Sequence, residues 1–267
     1  MKLIFSEFKS DYSHYVFPYA IWAIPEKGDT AAQIFNQGFL PSTHNLDRYY
    51  MTRQIRVRLE TFTQSSENRR IIRKCPTINY ELITREEFEF TPEKRKFCRH
   101  YADIKFGKDV MSDKRLDSLL GSRIISHILV YRDTENGKDV GYVTLFLEPS
   151  KLAYFYYSFY DLNYYERNLG MYMMTTAVDF FKNQNFDFLY LGTCYKENAL
   201  YKTQFAGFEF FNGFRWSNEL KELKYLIKRD EEVMTQHVVE TPEFVNAFYQ
   251  GDLQGLTGQY GVHVKLD

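Results

Sequence analysis

The stretch from residue 122 to residue 192 constrains the fold more than any other part of the chain. Arg123 to Arg132 and Val140 to Leu147 are β-rich runs joined through Asn136-Gly137, a dipeptide suited to the positive-φ positions of a hairpin turn. A third run, Leu152 to Tyr160 (LAYFYYSFY), follows too closely for a helix to intervene. Parallel neighbours need a crossover of about a dozen residues or more, so these three strands are antiparallel. The period then changes. Gly170 to Lys182 puts Met173, Met174, Ala177, Val178 and Phe181 on one helical face. Phe188 to Gly192 is again an apolar strand, Asn198 to Phe205 a short helix, and Phe208 to Arg215 and Leu223 to Lys228 read as further strands.

A first region runs from residue 1 to 90. It holds a short helix capped by Asp29, with Ala31, Ile34 and Phe35 on its apolar face and Gly38 as its stop. An alternating stretch, Gln54 to Leu59, and a basic stretch ending at Lys74 follow. Residues 91 to 121 read as two helices. The first is opened by Thr91-Pro92, with Phe97, Tyr101 and Ile104 at i, i+4 and i+7; the second is capped by Ser112 and ended by Gly121. Three antiparallel strands, helix, strand, helix, strand is the order of the GNAT acyltransferase core. The expected fold is therefore α+β in α/β/α layers. It comprises an N-terminal region (1–90), a GNAT-like domain (91–230) and an acidic extension (231–267) with one helix from Thr241-Pro242 to Gln250.

Charge narrows the partners. Lys plus Arg number 34 against 35 Asp plus Glu, so any RNA contact must come from a local patch. Between Arg53 and Lys74 seven basic residues stand against two acidic ones, an excess of 7 − 2 = +5 that suits phosphate contacts. From Asp230 onward seven acidic residues stand against Lys265 alone, which excludes that segment as an RNA contact. Cys75, Cys98 and Cys194 are too few and too dispersed for a disulfide framework, and the six histidines show no ligand spacing, so no metal site is expected. No run approaches the ~20 apolar residues of a membrane span. A cytoplasmic protein without membrane contact is expected.

Chemistry concentrates at three places. Arg167-Asn168-Leu169-Gly170 lies between a strand and a helix start, where exposed backbone N–H groups and a glycine suit a donor phosphate. Tyr172 stands where a coenzyme A loop places a second small residue, and a ring there would crowd a pyrophosphate. On the aromatic strand, alternation puts Tyr154, Tyr156, Ser158 and Tyr160 on one face, ahead of Asp161. Leu189-Tyr190-Leu191-Gly192 is followed by Tyr201-Lys202, with Tyr201 six residues before Gly207-Phe208 rather than the four usual for an acetyltransferase general acid.

These segments resemble the arginyl-tRNA–protein transferases and the bacterial leucyltransferases that act on N-terminal Asp and Glu. The resemblance rests on Phe159-Tyr160-Asp161-Leu162, Asn168-Leu169-Gly170-Met171-Tyr172, Tyr190-Leu191-Gly192-Thr193 and Tyr201-Lys202-Thr203-Gln204-Phe205. In the first region it rests on Phe35-Asn36-Gln37-Gly38-Phe39, Gln54-Ile55-Arg56-Val57 and Ser65-Ser66-Glu67-Asn68-Arg69-Arg70. The chain departs from that pattern at Tyr49-Tyr50-Met51-Thr52, where the family has cysteines, and at Leu162 and Met171, where it has Pro and Thr.

The resemblance implies transfer of an amino acid, Arg or Leu, from charged tRNA to the N-terminus of an acceptor protein in an N-degron pathway, with no cofactor. Arg167 and Gly170 would hold the terminal adenosine's phosphate. Tyr156, Asp161 and Tyr190 would line the aminoacyl and amine pocket. Lys202, Arg53, Arg69 and Arg70 would meet the tRNA or an acceptor carboxylate. Two alternatives share the scaffold: an acetyl-CoA-dependent N-acetyltransferase, and a non-catalytic module that binds tRNA or acidic N-termini.

Overall fold

The computed structural model describes residues 1–14, 16–232 and 236–252. Residues 233–235 and 253–267 of the expected acidic extension, Lys265 among them, lie outside the described residues. Along the chain the elements are β1 (Lys2–Glu7), β2 (Tyr19–Ile24), α1 (Ala31–Asn36), β3 (Phe39–Pro41), β4 (Tyr49–Met51), β5 (Gln54–Arg58), α2 (Ser66–Arg73) and β6 (Ile78–Thr84). Then come α3 (Pro92–Lys105), α4 (Asp113–Leu120), β7 (His127–Asp133), β8 (Lys138–Glu148), β9 (Leu152–Tyr160), α5 (Leu169–Asn183) and β10 (Phe188–Thr193). The chain continues with β11 (Phe208–Phe211), β12 (Trp216–Ser217), α6 (Leu220–Arg229) and α7 (Pro242–Tyr249). Short 3-10 turns cover Leu162–Arg167 and Glu197–Gln204.

The chain divides into two compact units that are interleaved in sequence rather than consecutive. One comprises Val57–Leu191 and Phe205–Gly207, the other Met1–Arg56, Gly192–Gln204 and the described residues from Phe208 onward.

In the first of these units β6, β7, β8 and β9 pair antiparallel in that order, and β10 joins β9 in parallel. The expected hairpin at Asn136-Gly137 is present, with Gly137 at φ +69°. Successive β8 residues define the layers. Gly141 faces α5, where an added Cβ would meet the Met173 sulfur at 2.8 Å, whereas Tyr142 packs edge-on against Phe97 of α3 at 5.3 Å. Helices thus cover both faces of a mixed sheet, the α/β/α arrangement expected. On α5 the expected face is buried: Met173, Met174, Ala177, Val178 and Phe181. The α3 face is rotated from expectation, because Cys98, Tyr101 and Ala102 go inward and Ile104 is 56% exposed.

In the other unit β1, β2, β4 and β3 form a small antiparallel sheet. Thr30, not Asp29, caps α1 in a reciprocal box with Gln33, while Asp29 accepts from the Glu26 N–H and the terminal amine. Residues 223–228 are helical, contrary to the strand expected there. Leu223, Tyr225 and Ile227 alternate as in a strand, but Leu220, Leu223, Leu226 and Ile227 also make a helical stripe, and Glu219 caps the helix. Burial decides for the helix, since Leu223, Leu226 and Ile227 are all inside. Glu222, 2% exposed, accepts hydrogen bonds from Asn212, Ser217 and Tyr249, so its burial is compensated.

Candidate functional site

The site begins where two strands part. The β9–β10 ladder is in register through Tyr154 opposite Tyr190, and β9 then continues to Tyr160 with β8 on its other side. On that side Thr144 faces Tyr157 and Leu145 faces Phe155, so Tyr156 is the extra residue of a β-bulge. The buried Thr144 hydroxyl holds it, accepting from the Tyr157 N–H at 3.0 Å and donating to the Tyr157 carbonyl at 3.3 Å. The bulge breaks the expected alternation. Tyr154, Tyr156 and Tyr157 form one ring cluster, with centroids 5.2 and 4.6 Å apart in succession. Tyr190, expected to line a pocket, is only 1% exposed and belongs to the core.

The chain leaves β9 through Asp161, whose carboxylate accepts the Asn163 N–H at 2.9 Å and so caps the 3-10 turn. Asn168 then adopts the left-handed conformation (φ 58°, ψ 41°) and α5 begins. No side chain caps α5, and its first turn carries no acid. No protein carboxylate in that turn therefore offsets the helix dipole. Gly170 is required by packing: an added Cβ would stand 2.8 Å from the Tyr160 ring. Arg167 is exposed, with its guanidinium 5.3 Å from the Tyr164 ring centroid. Tyr164 donates to Asp133 at 2.5 Å, and that hydrogen bond foremost, with one from the Glu135 N–H, holds the Asp133 carboxyl below the usual carboxylate range. Cys75 donates to the Arg167 carbonyl at 3.5 Å, and burial pushes its thiol up to about 11.

The expected obstruction by Tyr172 does not occur. Its ring is 5% exposed and its hydroxyl donates to the Ile78 carbonyl at 2.5 Å, so it points into the core and away from the turn.

Tyr156, Asp161, Arg167 and Gly170 thus lie on one continuous path from β9 through the turn into α5, with Tyr190 at the fork. Lys202 and Arg53 belong to the other unit. Lys202 sits on a 3-10 turn and donates to the Thr193 carbonyl at 2.9 Å; burial lowers its pKa. Arg53 is paired with Asp230 at 2.6 Å and lies 5.2 Å from the Tyr195 ring centroid. Several charges of the basic run have partners within their own unit. Arg56 is buried against Glu209 and Asn36, Arg70 pairs with Glu67, and Arg69 donates to the Gln64 carbonyl. Among the described residues no three His, Cys, Asp or Glu side chains gather as a metal site.

Sequence reasoning missed Thr144, Tyr164 and Asp133. Asp133, just ahead of Asn136-Gly137, carried a signal as a turn-forming acid. Thr144 carried none, since its role depends on the register of β9.

An antiparallel meander, a crossover helix and a parallel strand that pairs with β9 only as far as Tyr154 follow the element order of a GNAT-like fold. No family model matches the chain. In sequence it is similar to the aspartate/glutamate leucyltransferase of Saccharophagus degradans, at 27% identity over 168 residues, which cover 61% of this chain and 69% of that protein. Among solved structures, the C-terminal DUF2156 domain of an Agrobacterium fabrum protein aligns with a TM-score of 0.45 at 12% identity, covering 57% of this chain and 49% of that one. L-PGS from Bacillus licheniformis aligns at 0.41 and 15% identity, covering 54% and 46%. FemX aligns at 0.40 and 8% identity, covering 53% and 52%. The chain spans about half the length of each of these three solved chains.

Proposed function

We propose that the protein is an aminoacyltransferase that takes an aminoacyl group from charged tRNA and delivers it to the N-terminal amine of a protein or peptide. The observation that carries this reading is the open α5 N-terminus beside Arg167, next to the bulged end of β9. An anionic donor can dock on the helix amides while its acyl carbon reaches the fork. The 27% identity to an aspartate/glutamate leucyltransferase supports the aminoacyl class.

In this mechanism the neutral α-amine of the acceptor attacks the ester carbon of aminoacyl-tRNA. The C–N bond forms, the ester C–O bond breaks, and the 3′-oxygen of the tRNA leaves with a proton. The ester is already activated, so positioning and electrostatic stabilisation suffice and the step needs no cofactor. Tyr156 borders the acyl group, Asp161 fixes the turn through its cap, and Arg167 meets a donor phosphate.

One observation favours a second reading. Because Tyr172 is turned inward, its ring leaves the donor turn open to a pyrophosphate, and acetyl-CoA-dependent N-acetylation stays compatible with this geometry.

The test supplies the protein with labelled aminoacyl-tRNAs or labelled acetyl-CoA, together with peptides beginning in Asp, Glu or a neutral residue. Label from charged tRNA appearing in peptide is the expected result. Label entering peptide only from acetyl-CoA would sink the aminoacyl reading.

A further inference from the structure

A cleft of about 550 Å³ opens beside α5, and its lining contains none of the donor-turn residues. Tyr80 is the half-buried ring on its wall, with Phe62 and Tyr172 buried behind it, and Gln64, Asp179 and Lys182 contribute polar groups. Asp179 lies nine residues beyond Gly170 on the same helix, roughly 14 Å along its axis at 1.5 Å per residue.

Asp179 is the unusual member. Its carboxylate is half-buried and accepts a hydrogen bond from the Gln64 side-chain amide. Among the described residues it forms no ion pair. Lys182 is the cation that acts on it, but the Lys182 amine donates to the Phe62 carbonyl instead. Burial accordingly holds the Asp179 carboxyl above the usual carboxylate range. Tyr80 stands opposite on β6, with its ring fixed between Tyr131 and Phe180 at 5.5 and 6.1 Å, and its hydroxyl makes no hydrogen bond among the described residues.

A carboxylate kept half out of water with no ion-pair contact, Lys182 acting on it only from a distance, costs free energy that a closer cation would recover. An aromatic ring beside such a carboxylate favours an organic cation, whose charge is drawn to both the ring quadrupole and the acid. We infer that this cleft is a binding site for a small organic cation, a primary ammonium or guanidinium on an apolar stem. The charge rests on Asp179 and the stem lies against Tyr80. The site is separate from the proposed donor turn, and its occupancy does not depend on the proposed reaction.

The probe is phenethylammonium chloride, with 2-phenylethanol as its uncharged counterpart, titrated into the full chain by calorimetry and by amide chemical-shift mapping. The expected result is saturable binding of the ammonium, with shifts centred on Tyr80, Thr176 and Asp179, and affinity at least about tenfold weaker for the alcohol. Asp179→Asn should erase that preference, and Tyr80→Leu should weaken both ligands. Equal affinity for ammonium and alcohol in the wild type would overturn the inference without recourse to any variant. So would a folded Asp179→Asn protein that keeps the preference, or ammonium shifts that centre elsewhere.

Discussion

The Tyr160 ring occupies the space that a side chain on residue 170 would need, with Cε1 2.8 Å and the hydroxyl 3.1 Å from a Cβ built on Gly170. Tyr160 also packs on Tyr101 of α3 at 4.7 Å, so the ring has little room to withdraw. Gly170→Ala should therefore push the start of α5 away from β9. We expect a loss of about 2 kcal/mol in unfolding free energy, read by urea denaturation, and a larger proportional loss of donor binding. Unchanged stability would mean that Tyr160 yields freely.

Thr144 holds the bulge that makes Tyr156 the extra residue of β9. Thr144→Val keeps the shape but leaves the Tyr157 N–H without its acceptor, at a cost of about 1–3 kcal/mol. Transfer activity should fall by more than that loss of folded protein accounts for, because the bulge sets the end of β9 beside the turn. Steady-state kinetics on folded variant checks this, and a wild-type kcat would detach the bulge from the site.

The Asp133–Tyr164 hydrogen bond ties the β7–β8 hairpin to the turn that carries Arg167. Asp133 has a folded-state pKa below its ordinary 3.8, so the bond's contribution is fully present above that value and is lost as pH falls through the folded pKa. Wild type should be more stable than Tyr164→Phe at neutral pH, and the difference should fade below pH 3.8. Chemical denaturation of both proteins across the acid range checks it. A gap that persists in acid would show that the hydroxyl acts through some other partner.

Arg56 illustrates how a basic residue in a charged run can be structural. Its side chain is 3% exposed, donates to Glu209 at 2.7 Å and to Asn36 at 2.6 Å, and its guanidinium lies 3.6 Å from the Trp216 ring centroid. Arg56→Leu removes the ion pair to Glu209 and should cost about 3 kcal/mol. A variant of wild-type stability that had lost tRNA affinity would instead make Arg56 a phosphate contact.

Much of this site was legible in the amino-acid sequence, and the failures have physical causes. β9 and α5 stood out because the apolar period switches from two to 3.6 across Asp161 to Gly170. The direction of Tyr172 did not, since one ring at a helix start can face the turn or the core, and the carbonyl of Ile78 settles it. The bulge at Tyr156 is a mismatch between two strands and leaves no mark on either one. β6 did carry a signal, Ile78, Tyr80 and Leu82 alternating with Asn79 and Glu81, whereas β3 and β4 are too short for any period to register. The basic run misled because sequence counts charges without their partners: Arg53 has Asp230, far along the chain, and Arg56 has Glu209.

The central claim is that the Arg167 turn holds an aminoacyl donor, and transfer kinetics with charged tRNA as the varied substrate tests it most directly. Arg167 is exposed and, among the described residues, forms no ion pair, so Arg167→Ala should fold normally. We predict transfer by the wild type, and in the variant a KM for charged tRNA raised about tenfold, as for the loss of one charge-assisted phosphate contact. No transfer by the wild type, or an unchanged KM in the variant, would contradict the account.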